Sequence, residues 1–258
     1  LLGLAALAAA AQPGAWVERW GRPKHGDLVL LSRRAYELGF SSRLRVARWV
    51  AYCYTPTGNV EARGRGGPFR ADPEVAESCR VTPADYAGTY RRNLRGFDKG
   101  HQAPDAALRA FGRRARDETY LLTNITPQHS LLNQRLWRDL EDAIRDSTLA
   151  GETTWVVTGP VFFAGRETAF VGRRRVAVPH AYFCSWRHSR RAEFVTLLAG
   201  NDSLGHEFVE APGLLVSVDS VERLTGLDLY PSLSTREARR REAQPATALW
   251  PNRSKRGQ

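Results

Sequence analysis

The chain reads as a mixed α+β domain on a largely antiparallel sheet, and three features of its 258 residues lead there. Short β-branched and aromatic runs fall into two blocks, one ending near residue 54 and one starting near residue 153. Between them lies a long insert that closes on one helix with three- and four-residue apolar spacing. No strand-helix-strand alternation recurs, as a parallel βαβ sheet would require. At about 150 residues per domain the length allows one or two domains and a sizeable core. Hydrophobic content of 42%, with seven Trp, eight Tyr and ten Phe, excludes a disordered chain.

Residues 1–11, LLGLAALAAAA, precede Gln12 and Pro13 and resemble the apolar region and small-residue end of a secretory signal. Residues 1–12 are therefore expected to be a signal-peptide remnant and the protein to be secreted or periplasmic. The run is shorter than the roughly 18 apolar residues that span a bilayer. Leu28 to Leu31 and Arg45 to Tyr54 read as strands, followed by a Gly-, Arg- and Pro-rich loop from Gly58 to Pro73 that carries Arg63, Arg65 and Arg70. The stretch 85–148 is the least strand-like. Its helix has Ser130 as N-cap and Leu132, Leu136, Leu140, Ala143 and Ile144 on one stripe. Further strands are expected at Thr153 to Phe163, Arg175 to Trp186, Ala192 to Leu198 and Leu214 to Val218. One domain is thus expected over 13–235. Residues 236–258, with seven cations and two acids, read as a basic, solvated extension.

Lys and Arg number 38 against 27 Asp and Glu, a net charge of +11, and only Lys24, Lys99 and Lys255 are lysines. A bias toward GC-rich codons produces such an excess of arginine, and so does a polyanionic partner, whose phosphate oxygens match the guanidinium fork. Charge alone does not choose between them. Cys53, Cys79 and Cys184 include no Cys-x-x-Cys pair; in an oxidising compartment they could form one disulfide and leave one thiol. There is no Gly-x-Ser-x-Gly elbow and no phosphate loop, and His206-Glu207 lacks the second histidine of a zinc protease.

The insert holds the chemistry. It reads Phe97-Asp98-Lys99-Gly100-His101-Gln102-Ala103-Pro104, then Leu122-Thr123-Asn124-Ile125-Thr126-Pro127-Gln128, then Leu132-Asn133-Gln134 and Trp137-x-x-Leu140-Glu141. At about 100° per residue, Asn133, Trp137 and Glu141 fall within about 80° of one another on a helix. Asn133 would also lie on the apolar stripe, where an unsatisfied amide costs about 1–3 kcal/mol. It must cap, join a core network or bind a ligand. His101 sits among eight cations in residues 91–116, against Asp98 and Asp105. Such a field disfavours the imidazolium and keeps a base available, although an isolated histidine is also a common structural residue.

Taken in order, these motifs are similar to the DNA/RNA non-specific endonuclease family, the ββα-metal nucleases. Asp98 to Ala106 resembles its Asp-Arg-Gly-His-Gln-x-x-x-Ala pattern and Thr123 to Glu141 its second block, with weaker likeness at Trp49 to Tyr52, Gly159 to Phe162 and Val221 to Asp228. The resemblance implies a ββα-metal finger inserted in the antiparallel core and a long catalytic-site helix. It implies His101 as general base, Asn133 as the direct ligand of Mg²⁺ (with Mn²⁺ as a substitute), Glu141 holding metal-bound water, and Asn124 fixing the site. Lys99 stands where the family usually has arginine, keeping the charge without the bidentate fork. A second phosphate-binding arginine is matched best by Arg65. The implied partners are DNA and RNA, cut to 5′-phosphate and 3′-hydroxyl ends, and a homodimer is common in the family. Two alternatives remain open: a nucleic-acid-binding protein with a decayed site, and a nuclease narrowed to one substrate, as in a toxin.

Overall fold

A computed structural model describes residues 15–55, 66–90, 94–148, 152–204 and 207–249. Numbered in chain order, β1 (Val29–Ser32), β2 (Tyr36–Ser41), β3 (Val46–Tyr54), β6 (Thr154–Val161), β9 (Ala181–His188) and β10 (Val195–Gly200) form one six-stranded sheet in that spatial order. Every pairing in it is antiparallel.

Alternation along the strands explains the layers. On β3, Val50, Tyr52 and Tyr54 enter one core while Trp49, Ala51 and Cys53 enter another. A sheet covered on both faces needs apolar residues at successive positions, and β3 is buried along its whole length. One face is covered by a continuous helix over 130–147, through Leu132, Leu136, Leu140 and Ile144. The other is covered by α1 (Ala15–Trp20) and α6 (Val218–Thr225), through Trp16, Trp20, Val218 and Val221.

The insert builds a second, two-stranded sheet. β4 (Phe97–His101) pairs antiparallel with β5 (Ile125–His129), and the 130–147 helix follows directly, which completes the expected ββα unit. Short helices α2 (Asp105–Leu108) and α3 (Arg113–Glu118) lie in the connection between the two strands. The long helix comprises α4 (Ser130–Leu132), a π turn (Asn133–Trp137) and α5 (Arg138–Ser147). β7 (Phe170–Val171) and β8 (Val176–Ala177) form a small ribbon, and α7 (Thr235–Arg241) lies near the C-terminus.

Several expectations are corrected. Leu214 to Val218 is not a strand: it makes one bridge, Leu215 to Leu197, before Ser217 caps α6, and Pro212 and Gly213 leave no room for a ladder. The run 175–186 divides into β8 and β9 around Pro179. The cap of the long helix is His129, whose Nδ1 accepts from Leu131 N, while Ser130 is already helical and donates its hydroxyl to Gly96 O and Asp98 Oδ1. The three cysteines are buried and free in the structure. Most side chains of 235–249 are solvent-exposed as expected, but the segment is anchored at points: Ser234 caps α7, Glu242 is buried, and Ala246 and Leu249 pack on the main core. The proposed signal remnant, 1–12, and the last residues of the tail, 250–258, lie outside the described residues. Among the described residues no helix is long and apolar enough to cross a membrane.

The two edges of the main sheet differ. β10 is overlaid by the chain at 215–216, where Val216 N donates to Thr196 O. Among the described residues β1 pairs with β2 alone, and Val29 and Leu30 on it are exposed.

Candidate active site

His101 ends β4, opposite Ile125 of β5. The ribbon is narrow here: a Cβ on Gly100 would collide with the Oε1 and Cβ of Gln128, so glycine before the histidine is a packing requirement. Behind the ribbon Asn124 is fully buried and fully bonded. Its Oδ1 accepts from Ala103 N, and its Nδ2 donates to Ala103 O and Thr119 O, all at 2.9 Å. This ties down the main chain two residues after His101.

The His101 ring is 5.0 Å from Tyr120, nearly perpendicular to it, and 5.4 Å from Phe69. Its Nε2 is buried without a hydrogen-bond partner among the described residues. Burial lowers the imidazole to about 4, with Asp105 opposing. The imidazole is thus neutral, as the sequence led us to expect, but burial is the cause and not the cations. Arg109 and Arg116 both pair with Asp105 at 3.3 Å, and Tyr120 donates its hydroxyl to the same carboxylate at 3.0 Å. Arg91 and Arg92 lie outside the described residues.

Asn133 opens the π turn. A regular helix would carry its amide onto the apolar stripe; the wider turn instead leaves Asn133 half-buried at a cavity wall while Leu132, Leu136 and Leu140 keep the core. Asp98 orients it. Its Oδ1 accepts from Ser130 Oγ at 2.7 Å, and its Oδ2 accepts from Asn133 Nδ2 and Gln134 Nε2, each at 2.8 Å. With Nδ2 engaged by Asp98, the Oδ1 of Asn133 is the atom left for a ligand. Glu141, one turn after Trp137, is raised to about 8 by burial and by Asp142, with Arg145 opposing, and its carboxylate has no hydrogen-bond partner among the described residues.

Lys99, His101, Asn133 and Glu141 line one cavity of about 370 Å³, together with Asp105, Arg109, Gln134 and Arg138. Lys99 Nζ lies 5.2 Å from the centre of the Phe69 ring. An amide oxygen and an unpaired carboxylate in one cavity suit a hard, oxygen-seeking cation, so the residues present fit a divalent metal. Of the expected residues, Asn124 stands behind this cavity rather than in it. Arg63 and Arg65 fall outside the described residues, and Arg70 donates to Asp117 O at 2.8 Å. Sequence reasoning missed Asp98 as orienter, the Asp105, Tyr120 and Arg116 network, and Arg109, Gln134 and Arg138 on the cavity wall. The one available signal was Asp98, three positions before the histidine.

The profile of the DNA/RNA non-specific endonuclease family matches residues 17–236. Human mitochondrial endonuclease G is 32% identical over 233 residues, covering 84% of this chain and 74% of that one. A nuclease of Serratia marcescens is 31% identical over 246 residues, covering 90% and 89%. In a solved EndoG/EndoGI complex, one chain superposes with a TM-score of 0.69 at 23% identity, covering 82% of this chain and 89% of its own length.

Proposed function

The chain belongs to the DNA/RNA non-specific endonuclease family, a group of metal-dependent hydrolases of nucleic acid, and from that premise we propose a mechanism for its own residues. His101 activates water for attack on a phosphodiester of DNA or RNA, leaving 5′-phosphate and 3′-hydroxyl ends. The observation that carries this reading is the convergence of a neutral imidazole, an oriented amide oxygen, an unpaired carboxylate and the cations Lys99, Arg109 and Arg138 on one cavity.

The buried imidazole is a weak base until substrate arrives. A phosphodiester anion in the cavity favours the imidazolium and raises the basicity of His101 as the water loses its proton. Lys99 and Arg109 meet the non-bridging oxygens, where charge grows toward the transition state. Mg²⁺, or Mn²⁺ in its place, would be held by Asn133 Oδ1 with Glu141 behind it, supplying positive charge for the departing 3′ oxygen. Asn124 and Asp98 position His101 and Asn133 and touch no substrate. Arg65 is kept as a further phosphate contact. Because these groups read phosphate and not base, tolerance of sequence and sugar follows, with strong salt dependence.

The catalytic domain is proposed to span 13–235. The apolar run at 1–11 supports export, testable by fractionating cells that express the full chain. A homodimer is the expected assembly, which the mass in solution will test.

Plasmid nicking and RNA degradation by purified protein, in Mg²⁺ or EDTA, test the mechanism beside His101→Ala and Asn133→Ala. Each variant should lose about 10²-fold or more in rate, and EDTA should abolish cleavage. Full activity of His101→Ala, or EDTA-resistant cleavage, overturns it. Binding without cleavage in Mg²⁺ would mark a decayed site, and widely different rates on duplex DNA, single-stranded DNA and RNA a narrowed one.

A further inference from the structure

On the sheet face opposite the catalytic cavity, three carboxylates converge. Asp219 and Glu222 lie one turn apart on α6, and Glu242 follows α7; one oxygen from each lies within 4.8 Å of the others. The main chain fastens the two segments, Asp219 N donating to Glu242 O at 3.2 Å. We propose that Asp219, Glu222 and Glu242 bind a hard divalent cation, calcium in preference to magnesium, at a site separate from the catalytic one.

Proximity of acids would not by itself make a site. The second observation is Glu242, which is 6% exposed and makes no side-chain hydrogen bond or ion pair among the described residues, with a carboxylate oxygen directed at Asp219 and Glu222. A buried carboxylate without donor or counter-ion is among the costliest arrangements in a protein interior. The charged groups facing it are Glu222, Asp219 and Asp228, all acids. This happens in a chain with 38 Lys and Arg, so cations were not lacking. Glu222 has partial relief, its Oε1 accepting from Leu229 N at 2.6 Å. A cation would neutralise all of these groups together.

The donors and their spacing select the ion. Carboxylate oxygens without histidine or cysteine favour calcium or magnesium over zinc or copper. Oxygens on opposite sides of an ion are about 4.6–5.2 Å apart for calcium and about 4.0–4.2 Å for magnesium. The three oxygens lie within 4.8 Å of one another, inside calcium's span, and calcium's flexible shell takes carboxylates at unequal spacing where magnesium demands a near-ideal octahedron. Of the triad, Glu222 also borders, with Asp228, a groove of about 1010 Å³ that runs along 21–26. A bound ion would clamp α6 to the C-terminal segment.

Thermal unfolding of the full chain at pH 7.5, in EDTA and then with about 5 mM CaCl₂ or MgCl₂, tests the site. With affinity in the 10⁻⁴–10⁻³ M range of modest calcium sites, calcium should raise Tm by about 3–8 °C, and magnesium by less. Asn133→Ala, which disables the catalytic metal position, should keep that rise, whereas Glu242→Gln and Asp219→Asn should show less than about 1 °C. Nuclease activity of Glu242→Gln in Mg²⁺ should be unchanged, and calorimetric titration of that variant should show one calcium site fewer. No calcium shift in the parent chain, or a shift that survives both Glu242→Gln and Asp219→Asn, overturns the proposal. So does a higher Tm of Glu242→Gln in EDTA with calcium inert in the parent, which would mean that shared protons hold the cluster.

Discussion

Asp98 decides which atom of Asn133 the cavity meets. Its carboxylate accepts from the amide nitrogens of Asn133 and Gln134 at 2.8 Å with one oxygen and from Ser130 Oγ with the other. An amide in its place leaves one uncharged acceptor for three donors and sets an N–H against the rest. Asp98→Asn should lower kcat by about 10–100-fold, the usual cost of losing a ligand's orienting partner. KM and the circular dichroism spectrum should stay near parental values, and steady-state kinetics on plasmid DNA will check this. Lys99→Arg should act the other way on binding, since a fork grips phosphate oxygens in pairs: KM should fall about 2–5-fold with little change in kcat, measured at fixed salt. At this scale the sequence was informative wherever chemistry is written in residue type, as in His101, Asn133 and Glu141. It was silent where a role depends on a partner far along the chain. Nothing near Asp98 announces that Ser130, Asn133 and Gln134, more than thirty positions away, will gather on it.

The π turn is one such silent element. It widens the long helix between Leu132 and Leu136 and so turns Asn133 out of the core while both leucines stay in it. Deleting the exposed Arg135 should restore regular α-helical winding and rotate Asn133 by about 100° relative to Leu136 and Leu140. A folded protein with nuclease activity reduced at least ~10²-fold is the expected result, checked by circular dichroism and nicking assays on one preparation. Propensity has no residue signature for a π turn, which explains why it was not foreseen. β4 was hidden for another reason: Phe97-Asp98-Lys99-Gly100-His101 has no apolar alternation, because its pairing with β5 is held by backbone bonds and by the fit of Gly100 against Gln128. β2, by contrast, was readable. Tyr36, Leu38 and Phe40 alternate with Glu37, Gly39 and Ser41, a period of two that marks a strand.

At the scale of the molecule, stability should depend on a histidine that takes no part in the chemistry. His188 ends β9 with Thr154 Oγ1 2.7 Å from Nδ1 and Ser147 Oγ 3.2 Å from Nε2, joining the sheet to the end of the long helix. Burial and Arg191 lower it to about 4, with Glu152 opposing. Since the folded state prefers the neutral ring, the stability it contributes is complete above pH 6.5 and lost as pH falls toward 4, on the order of 3 kcal/mol in all. His188→Gln should flatten that part of the acid limb in denaturant titrations between pH 4 and 7. The antiparallel sheet was legible because strands of β-branched and aromatic residues come in two blocks, and the ββα unit through the resemblance of its motifs. The packing of 235–249 was not, since a run of arginines looks alike whether it is solvated or anchored by one buried acid such as Glu242. One feature of the sheet also bears on how the protein behaves when concentrated. Among the described residues an added strand has a place to pair along β1, whereas the chain at 215–216 already overlays part of β10, at Thr196 and Leu197. Joining of two copies through β1 would use up that edge of each, so pairing through β1 closes at two molecules.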